Sequence, residues 1–192
     1  MIGAIILAAG ESSRLGRPKQ NLVFNGQTLL QHAVDSALQS ECKPVIVVLG
    51  ANSENIKSIV ETITLYNKDW QEGMASSIRT GINEFHKDLS VDKVIIMLCD
   101  QPFVNAILIN TLIDKQAQTG KPIVACSYGG ATGVPVLFDR SLFAELLLLQ
   151  GHEGAKKILI SHVNEIATVS FEQGSVDIDT PGDYENLIKL SN

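Results

Sequence analysis

The chain has 192 residues, 45% of them hydrophobic and 19% charged, with a formal net charge of -6. That length suits one domain, expected over 1–192, with a full core, and the composition excludes a disordered chain. The negative balance argues against nucleic acid or an anionic membrane as partner, because such contacts draw on Lys and Arg.

The opening "MIGAIILAAGES" has no basic segment, and its apolar run is too short for a signal peptide or a membrane span, so a cytoplasmic protein is expected. Runs at residues 2–8, 45–49, 63–66, 94–98, 123–127, 136–138, 166–170 and 176–178 predict strands. Helical patterns fall between most of them. In "TLLQHAVDSALQS" the apolar Leu29, Leu30, Ala33, Val34, Ala37 and Leu38 share a stripe, and Thr28 with Gln31 has capping-box spacing. Further stripes run through Ile78, Ile82 and Phe85, through Ile109, Leu112 and Ile113, and through Leu142, Leu146 and Leu149. In the final "TPGDYENLIKL", Thr180, Pro181 and Asp183 supply an N-cap, a first-turn proline and a box partner.

Strands alternating with helices predict an α/β protein of three layers, α/β/α, with a mostly parallel sheet. In such a sheet ligands bind beyond the carboxyl ends of the strands. That rule selects the loop at 8–20, the residues at 99–102 and "DIDTP" at 177–181.

Gly10 follows the first predicted strand, where a glycine lets the backbone turn and approach a ligand. Arg14, Arg17 and Lys19 add positive charge to a loop whose N–H groups can face an anion, so phosphate suits it. An ordinary solvated turn carries the same residue types. There is no G-x-G-x-x-G, and the spacing from Gly10 to Gly16 is one residue too long for a Walker A. Asp100, ending a buried run, is placed either to hold Mg2+, which takes one or two carboxylates with phosphate oxygens and water, or to cap a loop through an Asx turn. Asp177 and Asp179 share a face if their segment is extended.

Ser76 and Ser77 can contact a base or cap the following helix. Trp70 and Met74 divide between lining a cleft and filling core. His152 reads as a surface or substrate-contacting group, and His32, His86 and His162 as surface. Cys42, Cys99 and Cys126 are odd in number and lack paired-ligand spacing, so they read as buried thiols. With no G-x-S-x-G and no activated Cys or His, covalent catalysis is not expected.

These residues carry a resemblance. "LAAGESSRLGRPKQ", "CDQP" and "DIDTP" resemble the nucleotidyltransferase family that includes the molybdenum cofactor cytidylyl- and guanylyltransferases. "NKDWQEGMASSIRTG", at 67–81, is similar to the "N-x-x-W-x-x-G-M-x-S-S" segment of its cytidylyl branch, and the match runs over nearly the whole chain. The resemblance implies a Rossmann-like nucleotidyltransferase fold and Mg2+-dependent transfer of a nucleoside monophosphate from an NTP to an acceptor phosphate, with release of pyrophosphate. For the cytidylyl branch it implies CTP as donor, molybdopterin as acceptor and a molybdenum hydroxylase as recipient of the product.

By the same resemblance, Leu7, Ala8, Ala9, Gly10, Asn67, Gly73, Ser76 and Ser77 bind the nucleotide, while Arg14 and Lys19 hold its triphosphate and act with Asp100 in catalysis. Asp100 is the metal ligand, with Asp177 or Asp179 as the second carboxylate. "CDQP", "YGGATGVPVLF" and "GHEGAKKIL" put Gln101, Gly133 and His152 at the acceptor. Two positions depart from the pattern: Val134 stands where many members have His, and His152 where many have Asp. The alternatives are therefore guanylyl or other nucleotidyl transfer to a different phosphorylated acceptor, or a non-catalytic nucleotide- or cofactor-binding module.

Overall fold

A computed structural model of the chain describes residues 1–56 and 62–190. In chain order the strands are β1 (Ile2–Ala8), β2 (Val23–Phe24), β3 (Gln27–Thr28), β4 (Val45–Leu49), β5 (Ile63–Tyr66), β6 (Lys93–Leu98), β7 (Ile123–Tyr128), β8 (Ala131–Asp139) and β9 (Ile166–Ser170). The helices are α1 (Leu29–Leu38), α2 (Ser53–Ile56), α3 (Met74–Lys87), α4 (Ala106–Thr119), α5 (Phe143–Leu147), α6 (Ala155–Ser161) and α7 (Pro181–Lys189).

β1 is apolar without alternation and buried from Gly3 onward, as a central parallel strand covered on both faces must be. Among the described residues the main sheet has the order β5-β4-β1-β6-β8-β7-β9. β4 and β6 flank β1 in parallel and β5 extends the same half, so their carboxyl ends share one edge. β8 enters antiparallel between β6 and β7, and β9 pairs parallel to β7 at the margin. The fold is thus the three-layer, mostly parallel α/β architecture that the alternation predicts.

On one face α1 and α4 bury Leu30, Val34, Ile109 and Leu112 against the sheet. On the other, α3, α5 and α6 bury Ile78, Ile82, Phe85, Phe143 and Ile158. Each such side chain contributes about 1.5–3 kcal/mol of burial. α3 lies close on β1 through a reciprocal fit: a Cβ on Gly81 would come within 2.8 Å of Ile5, and one on Gly3 within 2.6 Å of Phe85. That seating fixes where α3 begins, which is at the carboxyl edge. A third cluster joins Leu15 and Leu22 of the opening loop to Ile178 and Leu187 near the other end of the chain.

Some expectations need correcting. Residues 176–178 form no strand; their alternating pattern has no neighbouring strand to pair with, and the Ile178 amide instead donates to the Asp100 carbonyl at 3.2 Å. The strand expected at 136–138 extends over Ala131–Asp139 because it closes a hairpin with β7 across Gly129 and Gly130. The stripe through Leu142, Leu146 and Leu149 is interrupted, since α5 ends at Leu147. Leu38 is exposed rather than part of the α1 stripe. Thr28 caps α1 by accepting from the Gln31 amide, but the Gln31 side chain turns to Asp35, so the box is half made; the Thr180–Asp183 box on α7 is complete.

Candidate active site

The carboxyl ends of β1 and β6, the start of α3 and the segment before α7 surround a cleft of about 550 Å³. Its floor comes from β1, whose chain leaves the sheet at Ala8 and Ala9 and is fixed there by Gln20. The buried Gln20 amide donates to the Ala8 carbonyl at 2.8 Å and to the Gly10 carbonyl at 3.1 Å. Beyond Gly10 the loop turns through Ser12 and Gly16, both left-handed at φ 59° and 72°. Ser12 holds the loop's far end, because its hydroxyl accepts from the Lys19 amide at 3.1 Å.

This geometry aims Lys19 inward. Its ammonium donates to Asp100 Oδ2 at 2.7 Å and to Asp179 Oδ1 at 2.6 Å, and Arg14 donates to Asp179 Oδ2 at 2.8 Å. Burial works to lower the Lys19 pKa, but the charge of Asp100 and the hydrogen bonds to Asp100 and Asp179 outweigh it and hold the ammonium above its ordinary value. The hydrogen bond from Lys19 holds the Asp179 carboxyl below its usual value. The other oxygen of Asp100, Oδ1, is buried and has no hydrogen-bond partner.

Facing this cluster is the turn before α3. Gly73 has φ 128°, and a Cβ there would overlap the Gly151 carbonyl and lie 2.9 Å from His152 Nδ1. Only glycine fits both the dihedral and the space. Behind the turn the buried Asn67 amide donates to Ser76 Oγ at 2.8 Å and Ser77 Oγ at 3.0 Å, while Ser76 donates to the Gly73 carbonyl. Across the turn, exposed Glu72 forks onto Arg79, whose hydrogen bond lowers the Glu72 carboxyl to about 2.

Most of the expected nucleotide residues therefore meet at one cleft: 7–10, Arg14, Lys19, Gly73, Ser77, Asp100 and Asp179 line it, as does His152. Asn67 and Ser76 support it from behind. Asp177 does not line the cleft and keeps much of its surface in solvent, but its carboxyl is partly desolvated; that desolvation, then the charges of Asp100 and Asp179, raise it to about 6. Among the described residues no three of His, Cys, Asp and Glu come together as a ready metal cluster. Gln101 and Gly133 lie off the cleft: buried Gln101 donates to the Gly174 carbonyl, and Gly133 is packed under the Tyr128 hydroxyl.

Sequence reasoning gave Gln20 no role, and only its place in the opening motif marked it. Trp70 and Met74 both line the cleft. His86 is exposed as expected, but His32 is half-buried with Nε2 2.6 Å from the Phe24 carbonyl, and His162 lies between Glu145 and Glu165. The three cysteines are buried and unpaired with one another, and burial pushes the cleft-lining Cys99 thiol up to about 12, which favours its neutral form. Among the described residues no helix is long and apolar enough to cross a membrane.

Residues 4–166 match the MobA-like NTP transferase domain. The chain is 33% identical to nicotine blue oxidoreductase of Paenarthrobacter nicotinovorans, over 93% of this chain and 92% of that protein. It is 27% identical to the purine catabolism protein PucB of Bacillus subtilis (94% and 93%) and 22% to the molybdenum cofactor cytidylyltransferase of Escherichia coli (95% and 93%). The crystal structure of Rv0371c from Mycobacterium tuberculosis superposes with a TM-score of 0.86 at 30% identity, covering 98% of this chain and 97% of that one. A structure of Rv0371c in complex with manganese gives 0.81 at 27% identity and 98% coverage of both chains. The chain belongs to the MobA-like NTP transferase domain family and is a nucleotidyltransferase.

Proposed function

We propose that the chain transfers CMP from CTP to the phosphate of a molybdopterin-type acceptor, with Mg2+ in the site and pyrophosphate as leaving group. The observation that carries this reading is the alternating cluster of Arg14, Asp179, Lys19 and Asp100 at the cleft. It offers two cations to phosphates and two carboxylates to a metal.

The donor set fits a hard divalent cation, since the buried Asp100 Oδ1 lacks a partner and oxygen ligands are what Mg2+ prefers. Asp100 would hold it, with Asp179, the other carboxylate that lines the cleft, as its partner; Asp177 lies off the cleft. When bound, the metal neutralises charge on the phosphates. An acceptor phosphate oxygen bonds to the α-phosphorus as the bond to the bridging oxygen breaks, and that electron pair leaves with pyrophosphate. Arg14 and Lys19 offset the accumulating negative charge, and the loop clamped by Gln20 and Ser12 holds the phosphates in line, so positioning and charge supply the catalysis.

The choice of CTP is supported by the likeness of residues 67–81 to the cytidylyl segment and by the cytidylyltransferase name of the E. coli relative. A different acceptor is the second reading. Of Gln101, Gly133 and His152, only His152 lines the cleft, and other relatives bear names from purine catabolism and nicotine blue oxidation. Pyrophosphate release is measured with each of the four NTPs, in Mg2+ and in EDTA, with molybdopterin added. Mg2+-dependent release from CTP supports the proposal. Release from another NTP, or only with another phosphorylated acceptor, replaces it, and binding without release identifies a non-catalytic module.

A further inference from the structure

We infer that Lys19, seated between Asp100 and Asp179, serves as the resident counter-cation of that carboxylate pair, so that a divalent metal and the nucleotide's phosphates enter as a coupled pair rather than independently. This rests on the nucleotidyl-transfer reading and extends it to the order of binding.

The argument begins with what Lys19 touches. Its ammonium lies 2.7 and 2.6 Å from carboxylates on two separate segments, and the side chains of Lys19 and Asp100 are only 14% and 12% exposed. The lysine cannot drift away with its backbone, because its amide is tied to Ser12. Arg14 takes the remaining oxygen of Asp179. Three of the four carboxylate oxygens are therefore already neutralised by protein cations, and the fourth, Asp100 Oδ1, is buried and unpartnered. No third His, Cys, Asp or Glu completes a metal cluster among the described residues.

A divalent ion arriving alone meets an ammonium already seated between its two ligands, and like charges at that range repel. A triphosphate changes this balance, because it supplies the anion to which Lys19 and Arg14 can turn. Their departure leaves Asp100 and Asp179 negatively charged beside phosphate oxygens, the mixed donor set that Mg2+ favours. Linkage then requires the metal to tighten nucleotide by the same factor as nucleotide tightens metal.

The test is binding, not turnover. Free Mn2+ is followed by electron paramagnetic resonance during titration of nucleotide-free wild type and Lys19→Met. Non-hydrolysable analogues of the four NTPs are titrated into wild type in Mg2+ and in EDTA, read by the fluorescence of Trp70, the chain's single tryptophan, at the cleft. We expect Mn2+ to bind Lys19→Met at least tenfold more tightly than wild type, and Mg2+ to tighten the preferred analogue at least tenfold. Equal Mn2+ affinity in the two proteins overturns the inference. Should Lys19→Met fail to fold, the wild-type arm decides alone: equal analogue affinity in Mg2+ and EDTA overturns the inference while leaving the transferase reading intact. Failure of every analogue to bind, with Lys19→Met still gaining Mn2+, sinks the transferase reading and leaves the role of Lys19 standing.

Discussion

Lys19 and Asp100 are 81 residues apart in the chain and 2.7 Å apart in space. The contact is possible because Lys19 ends the loop after β1 and Asp100 follows β6, the parallel neighbour of β1. Asp100→Asn keeps a polar group of the same shape and leaves Lys19 paired with Asp179, so the fold should persist. Turnover should fall by about 10²–10³-fold or more, the scale of removing one essential electrostatic group. Pyrophosphate release and thermal unfolding on the same preparation check both halves; Mg2+-dependent activity near wild type would refute the assignment.

For Lys19→Ala the expected loss in kcat/KM is about 3–4 kcal/mol of transition-state stabilisation. Steady-state kinetics with saturating Mg2+ measure it. An unchanged kcat/KM would remove Lys19 from the chemistry.

Gly73→Ala should damage the turn that begins α3. The residue is held at φ 128° and has no space for a Cβ beneath Gly151 and His152, a combination that costs on the order of 1–3 kcal/mol. The melting temperature and nucleotide affinity should fall together. A variant with both unchanged would show that the turn is not held as described.

Asn67 and Ser77 separate support from contact. Asn67→Ala removes a buried donor shared by two hydroxyls and should cost about 1–3 kcal/mol of stability. Ser77→Ala, at the cleft wall, should cost about 1 kcal/mol or less of stability yet weaken nucleotide binding. Urea denaturation paired with nucleotide titration distinguishes the two, and equal effects of both substitutions on binding and stability would contradict this division.

His162 provides a pH-dependent clasp beyond the cleft. Its ring nitrogens lie 2.9 Å from Glu145 and 3.1 Å from Glu165, contacts that raise its pKa above the ordinary value. A raised folded pKa stabilises fully below the unfolded value of about 6.5 and loses that stabilisation as pH rises through the folded value. The pair is partly exposed, so the contribution is about 1 kcal/mol or less. The stability difference between wild type and His162→Gln should therefore be full below about pH 6.5 and shrink as the pH rises above it; a constant difference would contradict the ionic account.

Periodicity was informative where one local cause dominates. The unbroken run of β1, the stripe of α3 and the Thr180–Asp183 box all declare themselves within a few residues. The direction of β8 does not, because a short apolar segment reads alike whether its partner runs with it or against it. Residues 176–178 mislead for a related reason: alternation describes one side of a pairing, and the sheet supplies no partner there. In the cleft, residue types near Gly10 and Asp100 pointed to phosphate and metal. The capture of Lys19 by both carboxylates was hidden, since nothing local marks a contact made across so much chain. Gln20 escaped because its role is to accept the loop's shape rather than a ligand.

The span between Lys19 and Asp179, 160 residues, also sets a schedule for biogenesis. At about 5–20 residues per second, Asp179 leaves the ribosome roughly 8–32 s after Lys19. Throughout that interval a nascent chain carries its cationic loop without the counter-charge that completes the cluster. Completion of the ion-pair cluster is thus deferred until synthesis has passed Asp179, and a chain stalled before that point carries Lys19 and Arg14 without the carboxylate that joins them.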